Sequence, residues 1–434
     1  MRNSRDLAGG RAAWALDPRL SAIALVGVVA ALMAPRGTAA VFLVLAAFPI
    51  AALHLDRAYR ELWPLPPLTL VIAAFTAYCA VNSVWSVNRL EAGGKVLFLA
   101  AIAAVGHAAV IGLAHLDGVW RRHLVRAILV GVAIGALLLL IEVWTGQSLK
   151  RLLFNFVPAT RLDPKHMVLV DGRVTAIGPH VLNRSFAVLC FMLWPVLFLV
   201  RTRLPGPTAL VAALALIAVT ALGVFRSEHE TSMLALMFSG VACLGMMALP
   251  RLMRPLIVAG WVVATILVIP IAVASYSAGL HQAKWIPETG RSRIILWSVT
   301  ANKVLEAPVL GVGVAATKDL DELAKPAAAQ PQDHSYPLRT GRHSHNIFMQ
   351  TWYELGAVGA VLLLTAGLLL LRALARLPEA LQPYAWASFV AAVLIGAFSW
   401  GLWQTWFLAA FGIWMLLLAL AAAVAREAAT VTPR

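Results

Sequence analysis

The sequence predicts an all-α polytopic membrane protein with about twelve transmembrane helices, and three observations lead to this fold class. Of the 434 residues, 61% are hydrophobic and only 13% are charged, and the mean hydropathy is +0.82. A water-soluble domain is normally about 25% charged. The apolar residues are gathered in runs of roughly 20, the length that a helix needs to cross the hydrocarbon layer. These observations exclude the water-soluble classes.

Twelve segments are long and apolar enough to be spans of a single transmembrane domain over residues 1–434. The first is short and follows several arginines, as a signal peptide would, but we interpret it as a span. The predicted spans are residues 20–35, 37–54, 66–84, 96–114, 124–144, 181–200, 208–225, 231–249, 256–277, 347–371, 383–399 and 402–425. This number of spans places both termini on the same side of the membrane.

Arginines orient the predicted spans. With the N-terminus inside, every short inner connection is basic, as the positive-inside rule requires. The inner arginines are Arg57, Arg60, Arg121, Arg122, Arg126, Arg201, Arg203, Arg251, Arg254, Arg372 and Arg376, followed by the 426–434 tail. Most of the net charge of +15 therefore reflects topology. We expect cytoplasmic termini and no nucleic-acid partner, because nucleic-acid binders are basic on polar surfaces.

Two outer segments are long, and long loops are usually functional or disordered. They are residues 145–180 and 278–346, the latter between spans 9 and 10. Within the second, apolar residues at helical spacing over residues 291–305 predict an amphipathic helix at the membrane surface, ended by Pro308. The polar, proline-containing stretch 325–337 predicts a mobile flap. Most outer lysines, Lys318 among them, are interpreted as solvated loop charges.

Outer arginines are the first candidates for chemistry. Arg184 lies inside span 6, where a charge is expensive and indicates a function, although it could also snorkel to the interface. Arg226 lies in the turn FRSEHETS, where a local ion pair is as plausible as a ligand role. Arg291 and Arg293 open the amphipathic helix, and guanidinium groups match phosphate oxygens in bidentate fashion. This pattern indicates a lipid-linked phosphate or pyrophosphate.

The strongest candidate for a catalytic site is the stretch RHSHNIFMQTWYELGAVG, residues 342–359. His345 lies where the long outer segment meets span 10, and both the helix N-terminus and nearby Arg342 would keep its imidazole neutral, as a general base requires. His343 could cooperate with it or merely line the loop. Glu354 is half a turn away from His345 on a straight helix, so we expect it to meet an arginine of another span instead.

These residues carry a resemblance to a known family. His345-Asn346, nine residues and then Gly356-x-x-Gly359 resemble a motif of the O-antigen ligase family of membrane glycosyltransferases. The stretch 290–314, with Arg293 four residues before Trp297 and Pro308 before a Gly-Val-Gly turn, is similar to another segment of that family. Arg184 in NRSFA and the FRSEHETS turn also lie where the family has polar residues of the outer face.

The resemblance implies an enzyme of the bacterial inner membrane that acts at the periplasmic face. Its donor would be a glycan on undecaprenyl pyrophosphate, and its acceptor a sugar hydroxyl of lipid A-core. The family needs no cofactor and no metal, and the sequence has neither a D-x-D motif nor a Gly-rich phosphate loop. The three cysteines lie in apolar runs and are interpreted as buried small hydrophobes.

A mechanism follows as a hypothesis. His345, alone or with His343, accepts the proton of the acceptor hydroxyl in one inverting displacement, with Asn346 and Glu354 in support. The pyrophosphate is held by arginines, and the 325–337 flap closes over both substrates. The candidate arginines are Arg184, Arg291 and Arg293, with Arg161, Arg226 and Arg342 as possible additions.

Several alternatives remain at this point. The nearest is the O-antigen polymerase, which uses the same donor with a second lipid-linked glycan. Protein O-oligosaccharyltransferases belong to the same superfamily, but we expect no extra outer domain here, since only nine residues follow the last predicted span. A transporter of anionic lipid-linked glycans would need symmetric halves, which the sequence does not display. A structural scaffold would not explain the His345 motif.

Overall fold

The computed structural model of the chain describes residues 18–324 and 338–431. The predicted flap, residues 325–337, lies outside the described residues. Within them, nine helices are long and apolar enough to cross a membrane, or ten if one bent pair counts as a span. Two shorter apolar helices accompany them. The predicted all-α polytopic membrane fold is therefore confirmed.

Each predicted span coincides with an apolar helix, and the ninth is divided into two. These helices are α1 (Pro18–Met33), α2 (Thr38–Leu55), α3 (Pro67–Asn82), α4 (Arg89–Gly112), α5 (Gly118–Trp144), α7 (Asn183–Arg203), α8 (Gly206–Arg226), α9 (Glu230–Ala248), α10 (Pro250–Ile266), α11 (Val268–Ser277), α14 (Ile347–Leu374), α15 (Gln382–Phe398) and α16 (Thr405–Val431). The long outer segments contain α6 (Ser148–Phe156), α12 (Glu288–Val304), α13 (Thr317–Ala324) and a hairpin of β1 (Met167–Val170) and β2 (Arg173–Ile177).

The ninth predicted span differs from the straight helix expected over residues 256–277. Helices α10 and α11 are bent by 73° relative to each other, with Leu267 at the break. Pro270 explains the bend, because proline cannot donate a hydrogen bond to the carbonyl of Ile266 and its ring collides with that group. The outer half of this pair therefore turns toward α12, against which α11 packs.

Helix α7 is the centre of the bundle. Every residue from 185 to 200 is buried, and the helix packs against α8, α15 and α16. A helix that is apolar on all sides can be surrounded by lipid or by other helices, and α7 is surrounded by other helices. Its N-terminal residues, including Arg184, are therefore held at the end of the most enclosed helix of the fold.

Small residues allow α1 and α5 to approach closely. A Cβ atom on Gly131 would lie 2.9 Å from Val28 Cβ, and one on Gly135 would lie 2.5 Å from Leu32 Cδ1. Helices in a bilayer gain little from apolar burial alone and associate through such close backbone packing. This contact fixes α5, whose far end leads into the first outer segment.

The first outer segment is folded onto the end of α5. The buried Glu142 carboxylate accepts hydrogen bonds from the backbone N–H groups of Leu149 (2.7 Å) and Lys150 (3.3 Å), which are free at the start of α6. Strands β1 and β2 pair antiparallel, with Met167 opposite Ile177. The segment is thus an ordered helix and hairpin.

Helix α12 confirms the helix expected over residues 291–305 but differs at its ends. It runs from Glu288 to Val304, so it ends before Pro308 rather than at it. Its inward residues include Ile294, Ile295 and Ala301, while Leu305 is 68% exposed. Helices α11 and α14 pack against it. This contact brings α12 alongside the start of α14.

Candidate active site

His345 lies immediately before α14 in a strained backbone conformation. Its φ of +52° is in the left-handed region, which is uncommon for residues other than glycine and often marks functional sites. Two neighbours hold it there. Asn346 caps the helix, with its Oδ1 accepting from the N–H groups of Phe348 (2.9 Å) and Met349 (3.0 Å). Trp297 of α12 donates its indole N–H to the Ser344 carbonyl at 2.6 Å.

The surroundings of His345 define one tautomer. Its Nδ1 donates to the carbonyl oxygen of Ser399 at 2.6 Å, which leaves Nε2 with the free lone pair. Burial lowers the pKa of His345 to about 3, and the nearby His343 and Arg293 act in the same direction. The ring is therefore neutral at pH 7 and can accept a proton at Nε2. Arg342, expected to act on His345, acts instead on His343.

His343 pairs with His345 edge to face. Their ring centroids are 4.1 Å apart and their planes are at 88°. The pKa of His343 is lowered by burial and further by Arg342, Arg184 and Arg293. Gly401 supports the ring closely, because a Cβ atom there would lie 2.8 Å from His343 Cβ. Both histidines are thus uncharged donors or acceptors in a strongly cationic environment.

Two predicted arginines reach the histidine pair from different helices. Arg184 of α7 lies 5.7 Å above the ring of Trp406, and its Nε is buried without a hydrogen-bond partner among the described residues. Arg293 of α12 acts electrostatically on both histidines. Unsatisfied buried donors cost free energy unless a ligand accepts from them. The buried Nε of Arg184 is therefore available to an anion, and Arg293 adds positive charge near both histidines.

Other predicted arginines lie differently. Arg161 donates to the carbonyls of Phe154 (3.0 Å) and Gly172 (2.8 Å) and so ties α6 to the hairpin. Arg226 is exposed at the end of α8, and the local ion pair considered for its turn does not form among the described residues. Arg291 is half-buried on α12, with its Nε buried and unpaired within the described chain.

The FRSEHETS turn after α8 contributes two residues besides Arg226 that were not predicted as site residues. His229 is buried, its Nδ1 lies 2.6 Å from Ser232 Oγ, and its ring packs 5.3 Å from that of Trp400. Burial, assisted by Arg293, lowers its pKa to about 3. Glu230 accepts a hydrogen bond from Thr289 at 2.6 Å and lies close enough to Arg293 to stabilise its charge. Within this turn, Glu230 therefore stabilises the charge of Arg293.

The connection between α15 and α16 is a second feature that was missed. Ser399 bonds to His345, Gly401 lies under His343, and Trp406 lies under Arg184. Trp400 and Trp406 form an edge-to-face pair with centroids 4.8 Å apart. The sequence contains a signal for this feature, since the stretch SWGLWQTW has a tryptophan at every third position, at Trp400, Trp403 and Trp406. Only the folded chain reveals that this connection lies beneath the histidines.

Glu354 corrects a prediction, because it pairs with no arginine of the described chain. Its fully buried carboxylate accepts five hydrogen bonds from neutral donors. The donors are Ala315 N, Thr317 N, Thr317 Oγ1, Gln350 Nε2 and Trp403 Nε1. A carboxylate satisfied in this way joins α13, α14 and the α15–α16 connection. Glu354 acts as a structural centre.

The Gly311-Val312-Gly313 turn packs into the helix at the Gly356-x-x-Gly359 motif. Helix α14 is broken at Gly356, whose φ of 62° and ψ of −161° are open essentially to glycine alone. The 308–313 loop enters this break: Val312 N donates to Tyr353 O at 3.1 Å, and Ala357 N to Pro308 O at 2.9 Å. A Cβ on Gly311 would lie 2.3 Å from the Glu354 carbonyl oxygen. The motif glycines thus allow the loop to dock.

Comparisons with known proteins find a family likeness over part of the chain. Residues 212–364 match the family model described as O-antigen ligase. This segment contains His229, Arg293, His345 and Gly356, whereas Arg184 precedes it. The resemblance to the O-antigen ligase family is confirmed.

Relatives extend the likeness beyond this segment. A protein of Rickettsia conorii named "Putative polysaccharide ligase" is 23% identical over 79% of this chain and 77% of its own length. Similarly named proteins of Rickettsia typhi and Rickettsia felis are 22% and 23% identical, over 56% and 58% of this chain. Those two alignments span 59% and 61% of the relatives. At this level the comparisons support a membrane enzyme of the polysaccharide ligase type.

Proposed function

We propose that this protein is an O-antigen ligase. In this proposal it transfers a glycan from undecaprenyl pyrophosphate to a sugar hydroxyl of lipid A-core during lipopolysaccharide synthesis. The observation that carries the proposal is the neutral His345, with Nε2 free, in a histidine pair that the charges of Arg184 and Arg293 reach. A base next to two guanidinium groups is what transfer from a pyrophosphate to a hydroxyl requires.

In the proposed reaction, the acceptor oxygen attacks the anomeric carbon while its proton passes to His345 Nε2. The bond between the anomeric carbon and the pyrophosphate oxygen breaks, and the electron pair leaves with the pyrophosphate. The low pKa of the free His345 leaves the lone pair available. The arriving pyrophosphate charge then raises that pKa and favours protonation within the complex.

Arg184 and Arg293 are proposed to hold the pyrophosphate oxygens, with Arg291 as a further donor on α12. Fixed cations in a site that excludes water stabilise a departing anion strongly, so a dissociable metal is not needed in this scheme. His343 would share hydrogen bonding to the substrates.

A single displacement with inversion is the proposed stereochemical course. A double displacement would need a carboxylate nucleophile near the anomeric carbon. Glu354, the nearest buried carboxylate of the motif, already accepts five hydrogen bonds. This engagement supports direct attack by the acceptor, with Glu354 and Asn346 in supporting roles.

The proposed setting is the bacterial inner membrane with both termini in the cytoplasm. The basic inner connections support this orientation through the positive-inside rule. The 145–180 and 278–346 segments would then face the periplasm, where both lipid-linked substrates are available.

Reconstitution tests the proposal. Purified protein in lipid vesicles is given undecaprenyl-pyrophosphate glycan with lipid A-core, with and without EDTA. We expect ligated lipopolysaccharide of inverted anomeric configuration in both cases. Lengthened lipid-linked glycan in place of a ligated product would identify a polymerase. Loss of product in EDTA would contradict the metal-independent scheme.

A further inference from the structure

A separate cleft of about 400 Å³ opens beside His343. Pockets that bind small molecules commonly have volumes of about 300–1,000 Å³. Cations from three parts of the chain line it: Lys95 of α4, Lys318 of α13 and Arg342 of the segment before α14. Trp403 also contributes to the wall. Lys318, interpreted from the sequence as a solvated charge, is thus part of a built cavity.

The acidic residues of the cleft leave these cations able to bind a ligand. Glu91 forms ion pairs with both lysines, 3.8 Å from Lys95 Nζ and 3.6 Å from Lys318 Nζ, but one carboxylate neutralises only one of the two positive charges. Glu354 also lines the cleft, but its carboxylate is already satisfied by five neutral donors. Arg342 is exposed and has no hydrogen bond or ion pair among the described residues.

The cationic wall is held in shape by a buried carboxylate. Asp321 of α13 accepts from Arg339 Nε at 2.9 Å and from Gly341 N at 2.8 Å. These bonds join the helix that carries Lys318 to the residues directly before Arg342. The cleft is therefore a preorganised site, which lowers the entropic cost of binding.

This cleft is distinct from the arginine pair proposed for the donor. Arg184 and Arg293 do not line it, although the charges of both reach His343. His343 lines the cleft and contacts His345. The histidine pair thus has one group of cations on α7 and α12 and another on α4, α13 and the segment before α14.

We propose that the cleft beside His343 is the acceptor subsite, and that its ligand is a glycan carrying an anionic group, phosphate or carboxylate, near the reacting hydroxyl. The inference rests on the proposed transfer reaction and adds the charge of the acceptor. Lys95, Lys318 and Arg342 bind the anionic group, and the polar wall accepts the sugar. The acceptor hydroxyl then approaches the histidine pair from the cleft that His343 lines.

Steady-state transfer in vesicles tests this assignment, with KM measured separately for donor and acceptor. We expect the double variant Lys95→Gln/Lys318→Gln to raise the acceptor KM about tenfold or more, since a charge-assisted hydrogen bond contributes that much, while the donor KM is unchanged. Arg342→Gln, at an exposed position, should have the same effect without any change in thermal stability. Lys165→Gln is the matched control, an exposed lysine of the other outer segment paired with Asp163.

Chemical editing of the acceptor identifies the anionic group. Lipid A-core is used intact, after removal of its phosphates, and after reduction of its carboxyl groups. One of the two treatments should raise the acceptor KM of the unmodified protein to that of the lysine variant. The assignment is overturned if neither treatment changes the KM, or if the variants raise the donor KM instead.

A binding measurement separates this inference from the proposed reaction. The phosphorylated oligosaccharide released from the acceptor is titrated calorimetrically into the unmodified protein and the lysine variant. If the unmodified protein makes no product, the proposed function fails. The titration still shows whether the cleft binds the anionic glycan. Binding that the lysine variant loses supports the cleft; equal binding to both proteins, or to neither, overturns it.

Discussion

The Nδ1 of His345 donates to the Ser399 carbonyl at 2.6 Å, and this bond directs Nε2 away from the α15–α16 connection. The side chain is therefore held by one nitrogen and left reactive at the other. This is how histidine bases are usually oriented, since a hydrogen bond to one ring nitrogen selects the tautomer.

His345→Asn should lower transfer by a factor of about 10²–10⁴, the usual contribution of a general base. Asparagine can keep a donor near the Ser399 carbonyl but has nothing in the place of Nε2. Initial rates in vesicles measure the effect, and a thermal midpoint establishes that the variant is folded. His123→Asn, at an exposed histidine of α5, serves as the control. Normal transfer by His345→Asn would refute the assignment of the base.

The pH dependence of kcat/KM should reveal the depressed pKa of His345. An unperturbed histidine base would lose activity below a pH of about 6.5. Here the pKa is lowered to about 3, so the neutral form persists to lower pH and the acidic limb moves below pH 5. The limb of kcat should lie higher, because bound pyrophosphate raises the pKa. An acidic limb of kcat/KM near pH 6.5 would contradict this electrostatic picture.

Arg293→Lys should lower kcat/KM at least about tenfold although the charge is kept, because an ammonium cannot reproduce the bidentate fork. Glu230 stabilises a positive charge at this position, so the substitution tests the shape of the guanidinium group rather than its charge. Transfer rates at several donor concentrations provide the measurement. Arg173→Lys, at an exposed arginine of the hairpin, is the control. Equal activity of the Arg293→Lys variant would show that Arg293 contributes only its positive charge and no bidentate contact.

Gly356→Ala should destabilise the protein by at least about 1–3 kcal/mol, the usual cost of a strained backbone conformation. The added Cβ would also lie 2.4 Å from the Val309 carbonyl oxygen. A lowered thermal midpoint in detergent would show this effect. Gly240→Ala is a matched control within α9, where a Cβ meets no atom within 4 Å. If both variants melted together, the docking of the 308–313 loop would not depend on Gly356.

Glu354→Gln separates a structural carboxylate from a nucleophile. Glutamine must direct its NH₂ group toward donors that the carboxylate accepts from, so we expect a lower thermal midpoint together with a partial loss of kcat. A nucleophile would behave differently, with complete loss of transfer at unchanged stability. Parallel melting and rate measurements discriminate the two outcomes.

The sequence predicted the spans well because the thickness of the hydrocarbon layer imposes a length on every crossing helix. It also placed His345 and Asn346 at the start of α14, since a largely apolar run begins directly after them. The local sequence pattern does not predict contacts between loops that are far apart along the chain. Nothing in the periodicity indicated that Ser399 would orient His345, or that Trp403 and Thr317 would share the Glu354 carboxylate. These contacts join residues dozens of positions apart.

Helix boundaries show the same limit. The run over residues 347–371 was treated as one helix, yet Gly356 breaks it, because the competing loop 308–313 supplies hydrogen bonds that the helix would otherwise make. Conversely, Arg161 was predicted as a possible addition to Arg293 and its partners, but its guanidinium donates to backbone carbonyls of its own segment. Residue type alone could not distinguish the two.

The break at Gly356 has a mechanical consequence. The 308–313 loop bridges the break, because it is hydrogen-bonded to Tyr353 on one side and to Ala357 on the other. A tilt of the inner part of α14 in bilayers of different thickness therefore reaches His345 through this loop. We expect the rate of transfer to vary with acyl chain length, because the membrane and the reactive end of the helix are mechanically connected.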